Sequence, residues 1–163
     1  MTYYLNLGSN LGDREGNIWA ADLRIAIDIG LIAARSDFFE SEPWGFDSSN
    51  GFLNRALAVE SQEEPQRVLE LIHDIERELG AGASHRDEHG RYIDRVIDID
   101  IMAIDDMVIN TPSLTVPHRH LPKREFYLKP FMEIAPDWRH PATGLTCQEM
   151  LSLIAFPSRQ NKK

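Results

Sequence analysis

The chain has 163 residues, 26 of them acidic and 17 basic, with a formal net charge of -9 and 42% hydrophobic residues. A folded chain of this length buries roughly 68–70% of the surface that its unfolded form exposes, so one domain is stable without disulfides. Cys147 is the only cysteine, which excludes an internal disulfide and favours a cytoplasmic location. The acidic charge argues against a nucleic-acid partner, and the lack of an apolar run of about 20 residues argues against membrane insertion.

The first part of the chain predicts the order strand, helix, strand, strand. Residues 3–7 are apolar and aromatic and lead into turn residues, which indicates a strand. Apolar residues then recur at three- and four-residue spacing from about Asp13 to Gly30, which is typical of a helix. Residues 33–41 and 52–60 are predicted as the second and third strands, joined by a loop rich in glycine and serine.

The middle of the chain predicts a second helix and a fourth strand. Pro65 fits the first turn of the helix, where its missing N–H is harmless, and an apolar stripe continues until Gly80. Residues 80–92 contain three glycines and no periodicity, which is typical of a functional loop. Residues 96–104 are the clearest strand of the sequence.

Two helices are predicted near the C-terminus, over residues 126–135 and after Thr146, which has the capping-box spacing to Glu149. The order β-α-β-β-α-β is typical of an α+β, ferredoxin-like sandwich, in which helices pack on one face of an antiparallel sheet. The C-terminal elements are additions to this core. We expect one domain over residues 1–157 and a frayed tail over residues 158–163.

The sharpest chemical signal is the segment Arg95-Val-Ile-Asp98-Ile-Asp100-Ile. Side chains alternate across a strand, so Asp98 and Asp100 lie on one face and the isoleucines on the other. Two neighbouring carboxylates repel each other, and a hard divalent cation such as Mg²⁺ is the simplest compensator. The alternative is a solvated strand face without function. Asp is depleted in strands, so two in the middle of this one favour a functional site.

Basic residues cluster between Pro117 and Arg124, where His118, Arg119, His120 and Lys123 also lie. Guanidinium groups bind phosphate oxygens in a forked geometry, and phosphoryl transfer depends on positioning and charge neutralisation. Alone, the cluster is weak evidence and favours a basic surface loop. A phosphate-loop motif and a dinucleotide fingerprint are both missing from the sequence.

Several ordered motifs resemble the 6-hydroxymethyl-7,8-dihydropterin pyrophosphokinases of folate synthesis. The Arg95 segment fits the signature R-x-x-D-[LIV]-D-[LIVM], and residues 114–118 (LTVPH) follow it at the family's interval. Residues 8–12 (GSNLG), 42–45 (EPWG) and 130–136 (PFMEIAP) agree as well. The resemblance implies an enzyme that transfers the pyrophosphoryl group of ATP to the hydroxymethyl group of a reduced pterin and releases AMP. It also implies a monomer.

The resemblance assigns roles to residues on both substrates. Asp98 and Asp100 would hold two Mg²⁺ ions that bridge the triphosphate. Arg95, His118 and Arg124 would act with them as catalytic residues that contact phosphates. The remaining residues near the nucleotide would be His73, Glu76, Arg86, Arg91, Ile101 and Thr115. The residues near the pterin would be Gly8, Ser41, Glu42, Trp44, Phe52, Asn54, Tyr92, Asp98 and Phe126.

The sequence departs from the family pattern around its loops. Ile93 and Asp94 replace the Gly-Pro that usually precedes the signature arginine, and Asp94 could join the metal site, repel the triphosphate or face water. The glycine loop lacks the family's usual arginines, which leaves Arg86 or Arg91 as substitutes.

Two alternative functions stay open on the sequence alone. Another magnesium-dependent phosphotransferase or phosphohydrolase would use the same carboxylates. A non-catalytic, ferredoxin-like metabolite-binding domain would have no need of them.

Overall fold

The computed structural model describes residues 1–42, 51–80 and 95–156. Its centre is a five-stranded antiparallel sheet in the order β2-β4-β1-β5, with β3 paired to β4. The strands are β1 (Thr2–Ser9), β2 (Leu31–Arg35), β3 (Phe39–Ser41), β4 (Phe52–Glu60) and β5 (Asp98–Ile104). The helices are α1 (Arg14–Asp28), α2 (Pro65–Glu78), α3 (Glu125–Ile134) and α4 (Cys147–Ala155). A small hairpin of β6 (Ile109–Asn110) and β7 (Thr115–Val116) and a 3-10 turn (Leu121–Lys123) lie between β5 and α3.

Capping side chains define where the helices begin. Asp13 precedes α1 and accepts a hydrogen bond from the backbone N–H of Gly16, which satisfies one of the first-turn donors. Pro65 occupies the start of α2. Thr146 and Glu149 form the reciprocal capping box of α4. These three helix starts confirm the predictions from sequence.

The sheet packs helices on both of its faces. Leu5 and Leu7 of β1 lie in one core cluster with Ile18 of α1 and Ile72 of α2. A second cluster contains residues of α3 and α4 packed against Ala56 of β4. The next residue, Leu57, belongs to the first cluster, and successive side chains of a strand point to opposite faces. The helices α1 and α2 therefore occupy one face of the sheet, and the C-terminal helices α3 and α4 occupy the other.

One predicted strand is divided in the structure. The strand predicted over residues 33–41 corresponds to β2, which begins earlier at Leu31, and to β3, and residues 36–38 separate the two. The register of β2 shifts between Ile32 and Ala34. The Ser36 hydroxyl then accepts a hydrogen bond from the backbone N–H of Ala56 at 2.9 Å, in place of a ladder carbonyl. A side chain thus interrupts the ladder, which strand periodicity alone does not reveal.

The strands β4 and β5 agree well with the sequence patterns. The predicted strand over residues 52–60 is β4 without change, whereas β5 begins at Asp98 rather than at residue 96. In the described part of the chain, no helix has the length and apolar character needed to cross a lipid bilayer.

Candidate active site

The two faces of β5 have opposite chemistry. Ile99 and Ile101 are 5% exposed and belong to the core cluster under α1 and α2. Asp98 and Asp100 alternate with them and are partly buried on the other face. Among the described strands, β5 is the last of the sheet, so both carboxylates lie at its edge. The alternation predicted from the sequence is confirmed.

Glu76 of α2 covers the outer edge of β5. Its Oε2 accepts a hydrogen bond from the backbone N–H of Ile99 at 3.1 Å, on the side of the strand away from β1. The guanidinium Nη2 of Arg95 lies 3.8 Å from the same oxygen, and both side chains are 6% exposed. A third carboxylate is therefore held close to the aspartate pair by one strand N–H and one arginine.

The electrostatics of this cluster favour bound protons or cations. Burial raises the pKa of Asp98 well above its usual value, and the neighbouring Asp100 and Glu76 raise it further, against the opposing effect of Arg95. Burial also raises the pKa of Glu76 to about 7, while the Ile99 N–H and Arg95 act in the opposite direction. The side chains are too close to carry their full negative charge without compensation.

A cavity of about 280 Å³ opens next to the carboxylates. Asp100 forms part of its wall, together with five residues that the sequence assigns to the nucleotide: His73, Glu76, Ile101, Thr115 and His118. These residues come from α2, β5, β7 and the segment after β7. The structure thus brings this predicted set together, although 45 positions separate its first and last members in the chain.

His118 enters this cavity as a neutral hydrogen-bond donor. Its backbone N–H donates to the carbonyl of Met102 at 2.9 Å, which places the residue beside β5. Burial lowers the pKa of His118 to about 4, and Arg124 contributes in the same direction, whereas Asp100 opposes the shift. Its Nδ1 accepts the backbone N–H of His120 at 3.1 Å, so the single proton of the neutral ring lies on Nε2.

Asp100 is connected to Arg124 through Tyr127. The Tyr127 hydroxyl donates to Oδ2 of Asp100 at 2.5 Å and accepts from Nη1 of Arg124 at 2.7 Å. The Arg124 guanidinium carbon also lies 5.4 Å from the centre of the Phe126 ring. The predicted residues Asp100, Arg124 and Phe126 are therefore neighbours, and Tyr127 is the contact between the first two.

Five of the residues assigned to the pterin, which are Gly8, Ser41, Phe52, Asn54 and Asp98, lie in a row across the sheet. Gly8 of β1 pairs with Asn54 of β4 on one side and with Asp98 of β5 on the other. A Cβ atom at Gly8 would lie 3.2 Å from Oδ1 of Asn54, so a larger residue would crowd the Asn54 side chain. Asn54 donates its Nδ2 to the hydroxyl of Ser41 at 2.7 Å, and Ser41 pairs with Phe52.

The backbone of Phe126 is tied to the sheet by a side chain. Pro130 lies inside α3 and has no N–H to donate to the carbonyl of Phe126, four residues earlier. Asn6 of β1 supplies the missing donor, because its Nδ2 lies 3.0 Å from that carbonyl oxygen. This bond ties the backbone of Phe126 to β1 at Asn6, the residue that pairs with Asp100.

Comparison with known proteins identifies the fold and the family. The sequence model described as 7,8-dihydro-6-hydroxymethylpterin-pyrophosphokinase (HPPK) matches residues 4–136. The chain belongs to the HPPK family. The 2-amino-4-hydroxy-6-hydroxymethyldihydropteridine pyrophosphokinase of Porphyromonas gingivalis is 41% identical over 139 residues, which are 85% of this chain and 92% of that protein. The enzyme of the same name from Aquifex aeolicus is 41% identical over 142 residues, which are 86% of this chain and 84% of that protein.

Solved structures agree on the fold. The crystal structure of wild-type Plasmodium falciparum HPPK-DHPS superposes with a TM-score of 0.73 at 15% identity and covers 99% of this chain. The present chain spans only 46% of that protein, which carries a second named unit. At this low identity the likeness concerns the fold, which is an α+β arrangement with an antiparallel sheet.

Several residues with HPPK-assigned roles stand apart from the cavity or outside the described residues. Arg95 is 6% exposed and faces Glu76, so it lies beside the cavity rather than in its wall. Glu42 is exposed at the end of a described segment. The assigned residues that lie outside the described ranges, together with Asp94, are Trp44, Arg86, Arg91 and Tyr92.

The structure adds three residues that the sequence did not assign to the HPPK site. Tyr127 and Asn6 carry the hydrogen bonds described above, and Arg119 lies in the cavity wall. Arg119 stands in the basic cluster, which was the available signal. In the sequence, Tyr127 is an ordinary helix residue and Asn6 an ordinary strand residue. Their partners, Asp100 and Phe126, are 27 and 120 positions away in the chain.

The aspartate pair fits a hard divalent cation. Its donors are carboxylate oxygens, which are the ligands that Mg²⁺ prefers, and one or two such groups suffice when phosphates and water complete the shell. Burial first, and then the neighbouring Asp100 and Glu76, raise the pKa of Asp98, so a positive charge here would stabilise its ionised form. The residues present therefore match the metal that is typical of HPPK enzymes.

Proposed function

We propose that this protein transfers the pyrophosphoryl group of ATP to the hydroxymethyl group of 6-hydroxymethyl-7,8-dihydropterin, a step of folate biosynthesis. The pterin oxygen forms a bond to the β-phosphorus, the bond from that phosphorus to the oxygen bridging the α-phosphate breaks, and AMP leaves. The carrying observation is the aspartate pair at the junction of the cavity and the row of pterin residues. Membership of the HPPK family supports the same reaction.

We assign two Mg²⁺ ions to Asp98 and Asp100. When bound, they would neutralise charge on the triphosphate and hold the reacting oxygens in line. Asp98 also borders Gly8 in the pterin row, so the same pair adjoins both substrates. This placement explains why like charges are retained at a site where they oppose folding.

The walls of the cavity are assigned to the nucleotide. His73, Ile101 and Thr115 would surround ATP, with Glu76 holding the strand edge in place. His118 would donate its Nε2 proton to a phosphate oxygen as a neutral group. Arg124 would supply a guanidinium to the transferred phosphates, and we keep Arg95 as a phosphate contact on the family resemblance. We assign Arg86 and Arg91 to the triphosphate on the family resemblance alone.

The pterin is assigned to the row between β3 and β5. Phe126 and Phe52 would stack on the ring, since offset aromatic contacts contribute about 0.5–1.5 kcal/mol beyond area. Asn54 uses its Nδ2 on Ser41, so its Oδ1 is the group offered to the ring's donor edge. Glu42, Trp44 and Tyr92 are assigned to the same substrate by the resemblance.

We further propose a ferredoxin-like core, because β1 to β5 with α1 and α2 follow the order β-α-β-β-α-β when β2 and β3 are counted as one strand. The catalytic domain is assigned to residues 1–157. A cytoplasmic location fits the single, buried thiol of Cys147. The acidic charge of -9 supports small-molecule substrates over nucleic acid, and we keep the monomer implied by the resemblance.

The test is an incubation of the purified protein with ATP, Mg²⁺ and 6-hydroxymethyl-7,8-dihydropterin, followed by chromatography of AMP and of the pterin diphosphate. We expect AMP and pterin diphosphate in equal amounts, and neither product after chelation of the metal. Release of phosphate or pyrophosphate from ATP without pterin would identify a phosphohydrolase instead. Binding of a pterin that is indifferent to Mg²⁺, without turnover, would identify a binding domain.

A further inference from the structure

The hydroxyl of Tyr127 is buried between two charged groups of the site. The residue is 0% exposed, and its hydroxyl contacts Oδ2 of Asp100 at 2.5 Å and Nη1 of Arg124 at 2.7 Å. Arg has no acceptor atom, so Arg124 must donate and Tyr127 must direct its own proton to Asp100. The chain of hydrogen bonds therefore runs in one direction, from the guanidinium through the phenol to the carboxylate.

The ring of Tyr127 has a packing role that does not need the hydroxyl. Its centre lies 4.9 Å from that of Phe126 and 5.1 Å from that of His118, and the residue belongs to the core cluster under α3 and α4. A phenylalanine would make the same contacts without burying a polar group. Burying the hydroxyl therefore costs free energy, and its hydrogen bonds to Asp100 and Arg124 offset that cost.

The hydrogen bond restricts how Asp100 can present its carboxylate. Oδ2 accepts from Tyr127, and Asp100 itself lines the cavity, so Oδ1 and the second lone pair of Oδ2 can still bind a cation. The hydrogen bond opposes rotation of the Asp100 carboxylate. Fixing a ligand before the metal arrives reduces the entropy that binding has to remove.

We propose that Tyr127 is a positioning residue that holds Asp100 in place for metal binding. It also links this carboxylate to Arg124, the arginine assigned to the phosphates. The inference rests on the proposed function, because it assigns Asp100 to the metal. Tyr127 touches neither substrate in this account. Its effect is transmitted through Asp100 on one side and Arg124 on the other.

The test variant is Tyr127→Phe, which removes the hydroxyl and keeps the ring. Partners that orient a metal ligand change metal affinity by about 10- to 100-fold when they are removed. We expect the Mg²⁺ concentration for half-maximal AMP release to rise by that factor, with kcat recovering at saturating Mg²⁺ and the KM for the pterin unchanged. Direct titration of Mn²⁺ into the protein with a non-cleavable ATP analogue, followed by electron paramagnetic resonance, should show the same loss without turnover.

Tyr3→Phe is the matched control. Tyr3 is also 0% exposed, and its hydroxyl donates to the backbone carbonyl of Glu63 at 2.6 Å, away from the carboxylates. It should lose stability in the same way and keep the wild-type Mn²⁺ affinity. Equal Mn²⁺ affinities for Tyr127→Phe and the wild type would overturn the proposal.

A measurement on the wild type decides the matter if Tyr127→Phe does not fold. The Tyr127 hydroxyl proton should give a slowly exchanging NMR resonance that shifts when Mg²⁺ and the ATP analogue bind. A resonance that does not move would also overturn the proposal. If the wild type binds Mn²⁺ but makes no pterin diphosphate, the proposed function fails while the Mn²⁺ titration still decides the role of Tyr127.

Discussion

The two faces of strands β1 and β5 serve different purposes. On the face toward α1 and α2, Leu5, Leu7, Ile99 and Ile101 are at most 5% exposed and form a continuous apolar core. On the other face, at the same end of the sheet, Asp98 and Asp100 stand next to each other. The polar face therefore depends on the apolar one, which holds the strand in place while the carboxylates repel each other.

Magnitudes support this division. Burying one Leu or Ile side chain contributes about 1.5–3 kcal/mol, so the apolar face stabilises the sheet by several such increments. Burial and the neighbouring carboxylates raise the pKa of Asp98, so ionisation of this group opposes folding as the pH rises above the usual range of an aspartate. Substitutions on the apolar face should therefore lower mainly stability, and substitutions of the carboxylates should lower mainly activity.

The largest effect is expected for Asp98→Asn. Loss of a metal-binding carboxylate should lower turnover by roughly 10³-fold, equivalent to about 4 kcal/mol of transition-state stabilisation. The metal-free variant should melt at a higher temperature than the wild type at pH 8, because a neutral amide removes the repulsion from Asp100 and Glu76. AMP release and thermal melting measure the two effects.

Asp106→Asn is the control for this variant, since Asp106 is an exposed carboxylate beyond the far end of β5. It should change neither quantity. Unchanged turnover in Asp98→Asn would show that the aspartate pair is a solvated strand face after all.

Leu5→Ala tests the apolar face. Leu5 is 0% exposed, and truncation of a buried leucine costs about 2–5 kcal/mol. We expect the free energy of unfolding in urea to fall by that amount while the KM for the pterin of the folded fraction is retained. A raised KM would mean that the two faces are not independent.

Asn6→Ala changes the next residue, which points to the other face. It leaves the carbonyl of Phe126 without the donor that replaces the Pro130 N–H, and such a loss costs about 1–3 kcal/mol. Stability should fall less than in Leu5→Ala, but the KM for the pterin should rise several-fold because Phe126 is no longer held. If Asn6→Ala has the KM of Leu5→Ala, Asn6 does not position Phe126.

The smallest effect concerns the pH dependence of stability through Glu76. Its pKa is raised from 4.5 to about 7, so the folded state binds its proton more tightly than the unfolded state. The resulting stabilisation is complete below pH 4.5 and is lost as the pH rises through about 7. Glu76→Gln has no such loss, so its stability relative to the wild type should increase from pH 5 to pH 8.

Urea unfolding in a chelating buffer at the two pH values measures this difference. The Oε1 of glutamine can still accept the Ile99 N–H, so the strand edge should stay intact. A constant offset between Glu76→Gln and the wild type would show that Glu76 titrates alike in both states.

The elements were predictable where local patterns decide them. The strand over residues 52–60 and the helix starts at Asp13, Pro65 and Thr146 follow from alternation and capping, which involve residues close in the chain. The break at Ser36 was missed, because it depends on a hydrogen bond to Ala56, 20 residues away. The hairpin of β6 and β7 was missed too, since strands of two residues carry no periodicity.

The site was predictable in part for the same reason. Strand alternation identified Asp98 and Asp100, and the family resemblance assigned five residues of the cavity wall, which the structure brings together. The resemblance also implied that Arg95 contacts phosphate, whereas the structure places it against Glu76. The roles of all these residues stay predictions.

The sequence by itself determined that two carboxylates share one face of a strand, because alternation is a property of the extended backbone and needs no partner. Only the tertiary structure decided what surrounds them: Glu76 on the strand edge, Tyr127 on Asp100 and Asn6 under Phe126. These contacts join residues 23, 27 and 120 positions apart, and they form only when packing of the sheet and its helices brings the groups within hydrogen-bond distance.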